Sequence, residues 1–458
     1  MNLENSRKAF KAYDLRGKVP EEVNEELAYC IGRVFADLLG AKQIVVGRDA
    51  RLSGESLVAA LNEGLTDSGS NVIDIGLCGT EMVYFATTFL GADGGVMVTA
   101  SHNPKEYNGM KFVREGSRPI SSDTGLMDIA DKAIVGVFAH KVKDGAEKGK
   151  VIAKDVMDDY IKHILTYINA KKLKPMKIVV NAGNGCAGAA LDKLEKHLPF
   201  ELVKINNQPD GSFPNGVPNP ILQQNRAATS EIVLKEKADL GVAWDGDYDR
   251  CFLFDEKGEF IEGYYIVGLL AESFLRKTPG AKIIHDPRLT WNTLEIVEKL
   301  GGVAVECKSG HAFIKEKMRA VDAVYGGEMS AHHYFKEFTY CDSGMLPWLL
   351  VAELMCISGK PLSALVNERV EKFPCSGEVN RRVEDGNKIV ALVKEKYGKL
   401  GKMDEVDGIS VEFDKWRFNV RVSNTEPVVR LNLETKGDRA LMEEKTSELL
   451  SLIGGEPD

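Results

Sequence analysis

Three polar segments of this 458-residue chain carry side chains able to do chemistry. Thr99–Pro104 (TASHNP) holds a serine hydroxyl, Ser101, beside His102. Asp245–Arg250 (DGDYDR) places three carboxylates, Asp245, Asp247 and Asp249, within five residues. Gly327–His333 (GEMSAHH) combines Glu328, Ser330 and His332. A serine hydroxyl can accept a phosphoryl group. Three adjacent carboxylates repel one another unless a cation neutralises them, and hard oxygen ligands on so short a loop suit Mg²⁺. A glutamate can accept hydrogen bonds from two vicinal sugar hydroxyls, and histidine exchanges protons with a hydroxyl near neutrality. Each segment also has a plainer reading: an acidic turn, a serine capping a turn, a histidine satisfied by backbone groups.

Sharper competitors narrow the choice. An EF-hand starting at Asp245 places Glu256 at its last ligand position but Arg250 where glycine is required. A phosphatase with Asp245 as aspartyl nucleophile also follows a strand as DxD, although Asp249 stands where that pattern usually has Thr or Val. It stays an alternative, as does a non-enzymatic sugar-phosphate-binding protein. His102 does not make a Ser–His hydrolase: there is no GxSxG elbow, and neighbours on a loop are expected to point apart. Ser101 itself is expected to be exposed. Lys111 reads as a cationic partner and acid/base group, or as a surface lysine. In Arg421–Pro427 (RVSNTEP), Arg421, Ser423, Asn424 and Thr425 could grip a phosphate dianion with the help of backbone N–H groups. The same composition suits a plain hairpin turn. Arg16, Arg250 and Arg288 are further cations in or beside these loops. Gly183–Gly188 matches GxGxxG, but Asn206 and Asn207 follow the next strand where a dinucleotide site needs an acidic residue. A structural turn fits better.

The elements that must position these loops repeat. The motifs follow the apolar, strand-like runs Ala92–Val98, Ala238–Trp244 and Val321–Gly326. Upstream, Gln43–Ser53 and Lys282–Thr290 share Asp-x-Arg-Leu-Ser/Thr after a β-branched run, and Lys177–Gly185 gives a third strand and polar loop. Helical stretches follow (Glu55–Thr66, Ala189–His197, Asn292–Leu300), then strands (Val72–Ile75, Leu202–Ile205, Val303–Glu306). The same order in three places predicts three α/β domains with mainly parallel pairing, and a composite active site drawn from several of them. After Phe373 the pattern changes. Alternating runs at Ile409–Phe413, Arg417–Arg421 and Val428–Leu433, then a helix Arg439–Ile453, predict a smaller α+β domain. A linker at Lys141–Lys150 and a turn at Asp255–Glu259 divide the chain into 1–148, 149–258, 259–370 and 371–458.

A net charge of -9 argues against nucleic-acid binding. Eight scattered cysteines without a CxxC pair read as buried free thiols in a reducing compartment. The N-terminal residues lack the apolar core of a signal peptide, and Met345–Ser358, interrupted by Glu353, is too short to span a bilayer. The expectation is a cytoplasmic protein, monomer or weak homodimer, with a small-molecule partner and neither nucleic acid nor membrane.

Taken in order, TASHNP, DGDYDR, GEMSAHH and RVSNTEP, with Phe10–Gly17 and Lys308–His311, resemble the α-D-phosphohexomutase family over essentially the whole chain. The GEMS stretch resembles its phosphomannomutase/phosphoglucomutase branch. The longer GEMSAHHYF, with Tyr340–Met345, resembles the bacterial phosphomannomutases that feed GDP-mannose synthesis. The resemblance implies an α/β fold: three tandem domains of shared topology with mixed sheets, plus a C-terminal α+β domain like the TATA-binding protein, around a central cleft. It implies an intramolecular phosphotransferase with Ser101 as phosphoserine, holding Mg²⁺ together with Asp245, Asp247 and Asp249. A hexose 1,6-bisphosphate would be its activator. Lys111 and His332 would be the acid/base pair. Tyr13, Arg16, Arg250, Arg288, His311, Glu328 and Ser330 would meet the phosphosugar, and Arg421, Ser423, Asn424 and Thr425 its non-reacting phosphate. Small departures are Tyr248 where Phe is common, Ala331 for a frequent Gly, and Arg288 where Lys is also seen.

Overall fold

The computed structural model describes residues 3–136, 147–423 and 428–457. Most of the expected linker (141–146) and two expected phosphate ligands, Asn424 and Thr425, lie outside the described residues. The chain forms two compact units, Met1–Phe260 with Glu337–Gly359, and Ile261–Lys336 with Lys360–Asp458.

The first unit contains two sheets. One runs in the spatial order Leu15–Lys18, Tyr107–Arg114, Gly94–Val98, Gln43–Arg48, Asn71–Leu77, Val151–Ala153. The other runs Cys251–Phe254, Leu240–Trp244, Lys177–Asn181, Glu201–Ile205. In the second unit, His333–Phe335, Tyr325–Gly327, Lys282–His285 and Val303–Glu306 are adjacent in that order. These three sheets share one plan. The first strand of each repeat pairs in parallel with the second on one side and the third on the other, and the third pairs antiparallel with the fourth. The expected repetition is therefore a repetition of topology, and the sheets are mixed. All three motif loops join the third strand to the fourth.

Local sequence explains most of the elements. The β-branched first strands Gln43–Arg48, Lys177–Asn181 and Lys282–His285 are buried along most of their length, as suits parallel strands covered on both faces. Helices follow at Gly54–Asp67, Ala187–Leu194 and Trp291–Lys299, within two residues of the predicted ranges apart from a short 3₁₀ turn, Glu195–His197, that finishes the second. The helices Glu25–Leu39 and Gly54–Asp67 approach closely because both carry glycine at the contact. A Cβ on Gly32 would meet Leu61 O at 2.4 Å, and one on Gly64 would meet Tyr29 O at 2.1 Å. The third apolar run behaves differently from expectation. Val321 closes the helix His311–Val321, Asp322 caps it in the left-handed region (φ 56°), and the strand starts only at Tyr325. Asp255–Glu259 is a hairpin turn, its Asp255 carboxylate accepting the N–H groups of Lys257 and Glu259.

The C-terminal sheet is antiparallel, in the order Lys402–Asp404, Ile409–Glu412, Trp416–Val422, Val428–Thr435, Cys375–Arg382, Glu456–Pro457. Its inner face joins Val411, Phe418, Val420, Leu431 and Leu433 in one apolar cluster with the helices Gly386–Tyr397 and Arg439–Ile453. The last helix has the predicted bounds and is capped by Asp438, whose carboxylate accepts the Leu441 N–H. All eight cysteines are free thiols, seven of them buried. Among the described residues no single helix is long and apolar enough to cross a membrane, and the most apolar one, Met345–Ser358, is mostly buried.

Candidate active site

In the first unit the serine and carboxylate loops meet. Ser101 Oγ donates to Asp245 Oδ2 at 2.7 Å and accepts from Arg250 Nη2 at 3.1 Å. The serine is buried, not exposed as expected, because the loop after Trp244 covers it. His102, expected to diverge, turns back onto it, with Nδ1 3.0 Å from Ser101 Oγ and in contact with Arg250. Ser101 adopts φ 50°, a left-handed conformation costly for a residue with a side chain and recurrent at functional sites. Backbone clamps hold it there. The Ser101 N–H donates to Thr99 Oγ1 at 2.8 Å, and that hydroxyl donates to Asp49 Oδ2 at 2.6 Å. Arg51 gives hydrogen bonds to the carbonyls of Ser101, Asn103, Pro104 and Tyr107 at 2.6–2.9 Å. Arg16 reaches the Asn103 side chain at 2.8 Å and pairs with Asp14 at 2.7 Å. Tyr13, half-buried, lies three residues before Arg16.

The three aspartates are buried, and donor atoms from all three lie within 4.8 Å of one another. Lys111, a buried residue and not a surface lysine, bridges Asp247 and Asp249 at 2.7 and 2.5 Å. Burial alone would lower its pKa, but the two carboxylates outweigh that and raise it, so this ammonium holds its proton. Arg250 Nε pairs with Asp245 Oδ2 at 2.8 Å. Burial pushes the Asp245 carboxyl upward against this cation. Asp245 Oδ2 is thus committed to the serine and the arginine, which makes it a holder of the hydroxyl and not a free nucleophile. Asp247 Oδ2 accepts from Thr80 Oγ1 at 2.6 Å, whereas its Oδ1 is buried and accepts no hydrogen bond from the described residues. An orphaned buried carboxylate oxygen in an all-oxygen cluster, with two protein cations against three anions, fits a divalent cation. Tyr248 helps shape the loop: it is buried with φ 42°, and its ring takes the space where a Cβ on Gly79 would come within 2.2 Å.

In the second unit Arg288 gathers residues of the Gly327–His333 loop. Its guanidinium pairs with Asp286 at 3.0 Å and donates to Glu328 Oε1 and Ser330 Oγ, both at 3.2 Å, and to Glu378 Oε2 at 3.3 Å. Glu328 also accepts from the Gly310 N–H at 3.1 Å and from the Tyr334 hydroxyl at 2.6 Å, and lies 3.4 Å from His332 Nδ1. Burial would raise its pKa, but His332, Arg288 and Tyr334 outweigh it and hold the carboxyl at about 2. The glutamate is therefore an anion at any physiological pH. His311 opens the helix that follows Gly310 and is buried. Arg421 lies 3.8 Å from Glu378 and 3.9 Å from Asp407, both long contacts, and its Nε has no hydrogen-bond partner among the described residues. Burial, with Arg288 and Arg430 nearby, pulls its pKa down, the electrostatic signature of a cation cluster that an anion would relieve. Ser423 stands just past the end of the strand Trp416–Val422, its N–H bonded to Val428 O at 2.9 Å.

Comparison with known proteins agrees along the whole chain. Residues 7–134, 158–258 and 262–373 match the phosphoglucomutase/phosphomannomutase alpha/beta/alpha domains I, II and III, and 378–450 match the C-terminal domain of the same family. The chain belongs to the phosphoglucomutase/phosphomannomutase family. It is 58% identical to the "Phosphohexose mutases" protein of Xanthomonas campestris pv. campestris strain B100, over 98% of this chain and 99% of that one. It is 55% identical to the phosphomannomutase of Escherichia coli K12, over 97% and 98%. A crystal structure of a Burkholderia thailandensis member of the family superposes with TM-score 0.86 at 31% identity, covering 99% of both chains. The protein is an α/β enzyme of the intramolecular phosphotransferase class, an isomerase.

Several residues of this family member escaped sequence reasoning. Arg51 was legible in principle: it holds the same place in Asp-x-Arg-Leu-Ser/Thr as Arg288. Both arginines fold back on the aspartate two residues earlier and brace the motif loop of their own repeat. Thr80 and Glu378 carry no local signal. Nor does Glu434, which accepts from the N–H groups of Thr290 and Trp291 and from Arg417 while Arg417 donates to Pro287 O and Arg288 O. That pair anchors the loop holding Arg288.

Proposed function

We propose that the enzyme is a phosphomannomutase, interconverting mannose 1-phosphate and mannose 6-phosphate to supply GDP-mannose synthesis, with glucose phosphates as further substrates. The observation that carries the reading is the pairing of Ser101 Oγ with Asp245 and Arg250 beside the buried acidic trio. Phospho-Ser101 gives its phosphoryl group to O6 of mannose 1-phosphate, forming the P–O6 bond as the P–Oγ bond breaks. The resulting 1,6-bisphosphate reorients, and its O1 phosphoryl group returns to Oγ, leaving mannose 6-phosphate. Free hexose 1,6-bisphosphate then acts as the activator that phosphorylates Ser101.

Asp245, Asp247 and Asp249, with an oxygen of the serine phosphate, would hold Mg²⁺, which supplies Lewis-acid stabilisation of the transferring group. Arg250 offsets charge at Oγ. Lys111, kept protonated by its two carboxylates, serves as the acid near the serine, and His332 beside Glu328 exchanges the proton of the sugar hydroxyl. Arg16, Tyr13, Arg288, His311, Glu328 and Ser330 orient the sugar, and Arg421, Ser423, Asn424 and Thr425 grip the phosphate that does not react. Phosphoryl transfer depends mainly on positioning and charge stabilisation, which is what these loops supply. Eight free thiols support a cytoplasmic setting.

The test is Ser101→Ala together with radiolabelled glucose 1,6-bisphosphate and peptide mapping. The expected result is label on Ser101 in the wild type and loss of nearly all turnover in the variant. Label on Asp245 with release of inorganic phosphate would mark a phosphatase, and no covalent label a binding protein.

A further inference from the structure

The second repeat departs from the other two at the point where strand order reverses. In each repeat the second and third strands flank the first on opposite sides, and the carboxyl ends of the strands at such a reversal are the usual place for ligands in these sheets. Three residues past the first strand, the first and third repeats put a buried arginine, Arg51 and Arg288. The second repeat has Asn184 there, inside the GxGxxG loop that the mutase reading leaves without a role. Beside it lies a cavity of about 390 Å³, within the range of small-molecule sites.

Six side-chain carboxamides line it: Asn181, Asn206, Asn215, Asn219, Gln224 and Asn225, with no charged side chain among the lining residues. Several are already fixed in a network. Asn215 Nδ2 donates to Asn184 Oδ1 at 2.9 Å and Asn206 Oδ1 at 3.0 Å, and Asn206 Nδ2 donates to Asn181 Oδ1 at 3.2 Å. Asn219 Oδ1 is shut off from solvent and has no hydrogen-bond partner among the described residues. A carboxamide both donates and accepts, which matches hydroxyl groups that do the same. With no cation among the lining residues, the cavity lacks the side chain that would hold a phosphate or carboxylate. Ile205, Val217, Pro218, Pro220 and Ile232 contribute an apolar wall, suited to the C–H face of a sugar ring.

We propose that this cavity is a second ligand site, binding a neutral, non-phosphorylated hexose or hexoside. It uses none of the residues assigned to phosphoryl transfer, so the proposal stands apart from that reading. The test is calorimetric titration of the full chain with methyl α-D-mannoside and methyl α-D-glucoside, which lack a phosphate and cannot react. The expected result is saturable one-to-one binding of at least one glycoside that persists in Glu328→Gln and weakens about tenfold in Asn219→Leu and in Gln224→Ala. Mutase kcat in the two cavity variants should match the wild type. No saturable binding of either glycoside overturns the proposal. So does binding that disappears in Glu328→Gln and is untouched by both cavity variants.

Discussion

Arg51→Lys separates positive charge from positioning at the serine loop. Arg51 is 1% exposed and spends its guanidinium on four loop carbonyls, with Nε 3.3 Å from Asp49 Oδ2. Lysine keeps the charge but offers three donors from a single point, against five spread over a planar fork. At least one carbonyl and the Asp49 contact must be given up. Hydrogen bonds from a charged donor are worth about 1.5–3 kcal/mol each, so a loss of about 3 kcal/mol is expected after the loop relaxes. The relaxation moves Ser101 Oγ relative to Asp245, and displacement by about 1 Å costs on the order of 100-fold in rate. Steady-state kinetics should show kcat lowered about 100-fold with KM little changed, and labelling of Ser101 by glucose 1,6-bisphosphate slowed in parallel. If kcat stays within about threefold of wild type and labelling is unaffected, the clamp does not position the serine.

Three further outcomes follow from the described geometry. Asp247→Asn removes one anion from the trio, and Mg²⁺ affinity by calorimetry should fall about 100-fold or more; unchanged affinity would detach the metal from these aspartates. Glu328 is held at about 2 against an ordinary 4.5, so the unfolded chain binds its proton more tightly. Its stabilisation of about 3 kcal/mol is present above about pH 4.5 and is lost as pH falls toward 2. Urea unfolding of Glu328→Gln should therefore show a flatter acid limb in that window, and a slope equal to wild type would contradict the network around this carboxylate. Ala331 has φ 69°, where a side chain costs about 1–2 kcal/mol that glycine avoids. Ala331→Gly should raise unfolding free energy by about 0.5–1 kcal/mol after the entropy of glycine is counted; a decrease would refute the strain.

The parts of this molecule legible in sequence were those with local causes. Period and turn chemistry located the helices after each first strand to within two residues, except the 3₁₀ extension at Glu195–His197, and the final helix without error. Parallel strands were recognisable as β-branched runs, and antiparallel ones by alternation. Val321 was misplaced because an apolar residue at the end of a helix looks the same as one at the start of a strand. The burial of Ser101 was out of reach for a different reason: its cover comes from residues 144 and 149 positions away. Lys111 likewise gains its role only from carboxylates 136 and 138 positions downstream. Spacing can nominate such groups, but their partners and their proton affinity are set by pairings that no short stretch encodes.

The repeated strand plan has a consequence for how such a molecule can change. Each chemically active loop is the short connection of a two-strand hairpin whose legs are locked into the sheet at both ends. Replacing the contents of one connection therefore leaves the strand scaffold that carries it undisturbed. Three copies of one frame could in this way drift apart in the side chains their connections present, each variant keeping the same strand pairing.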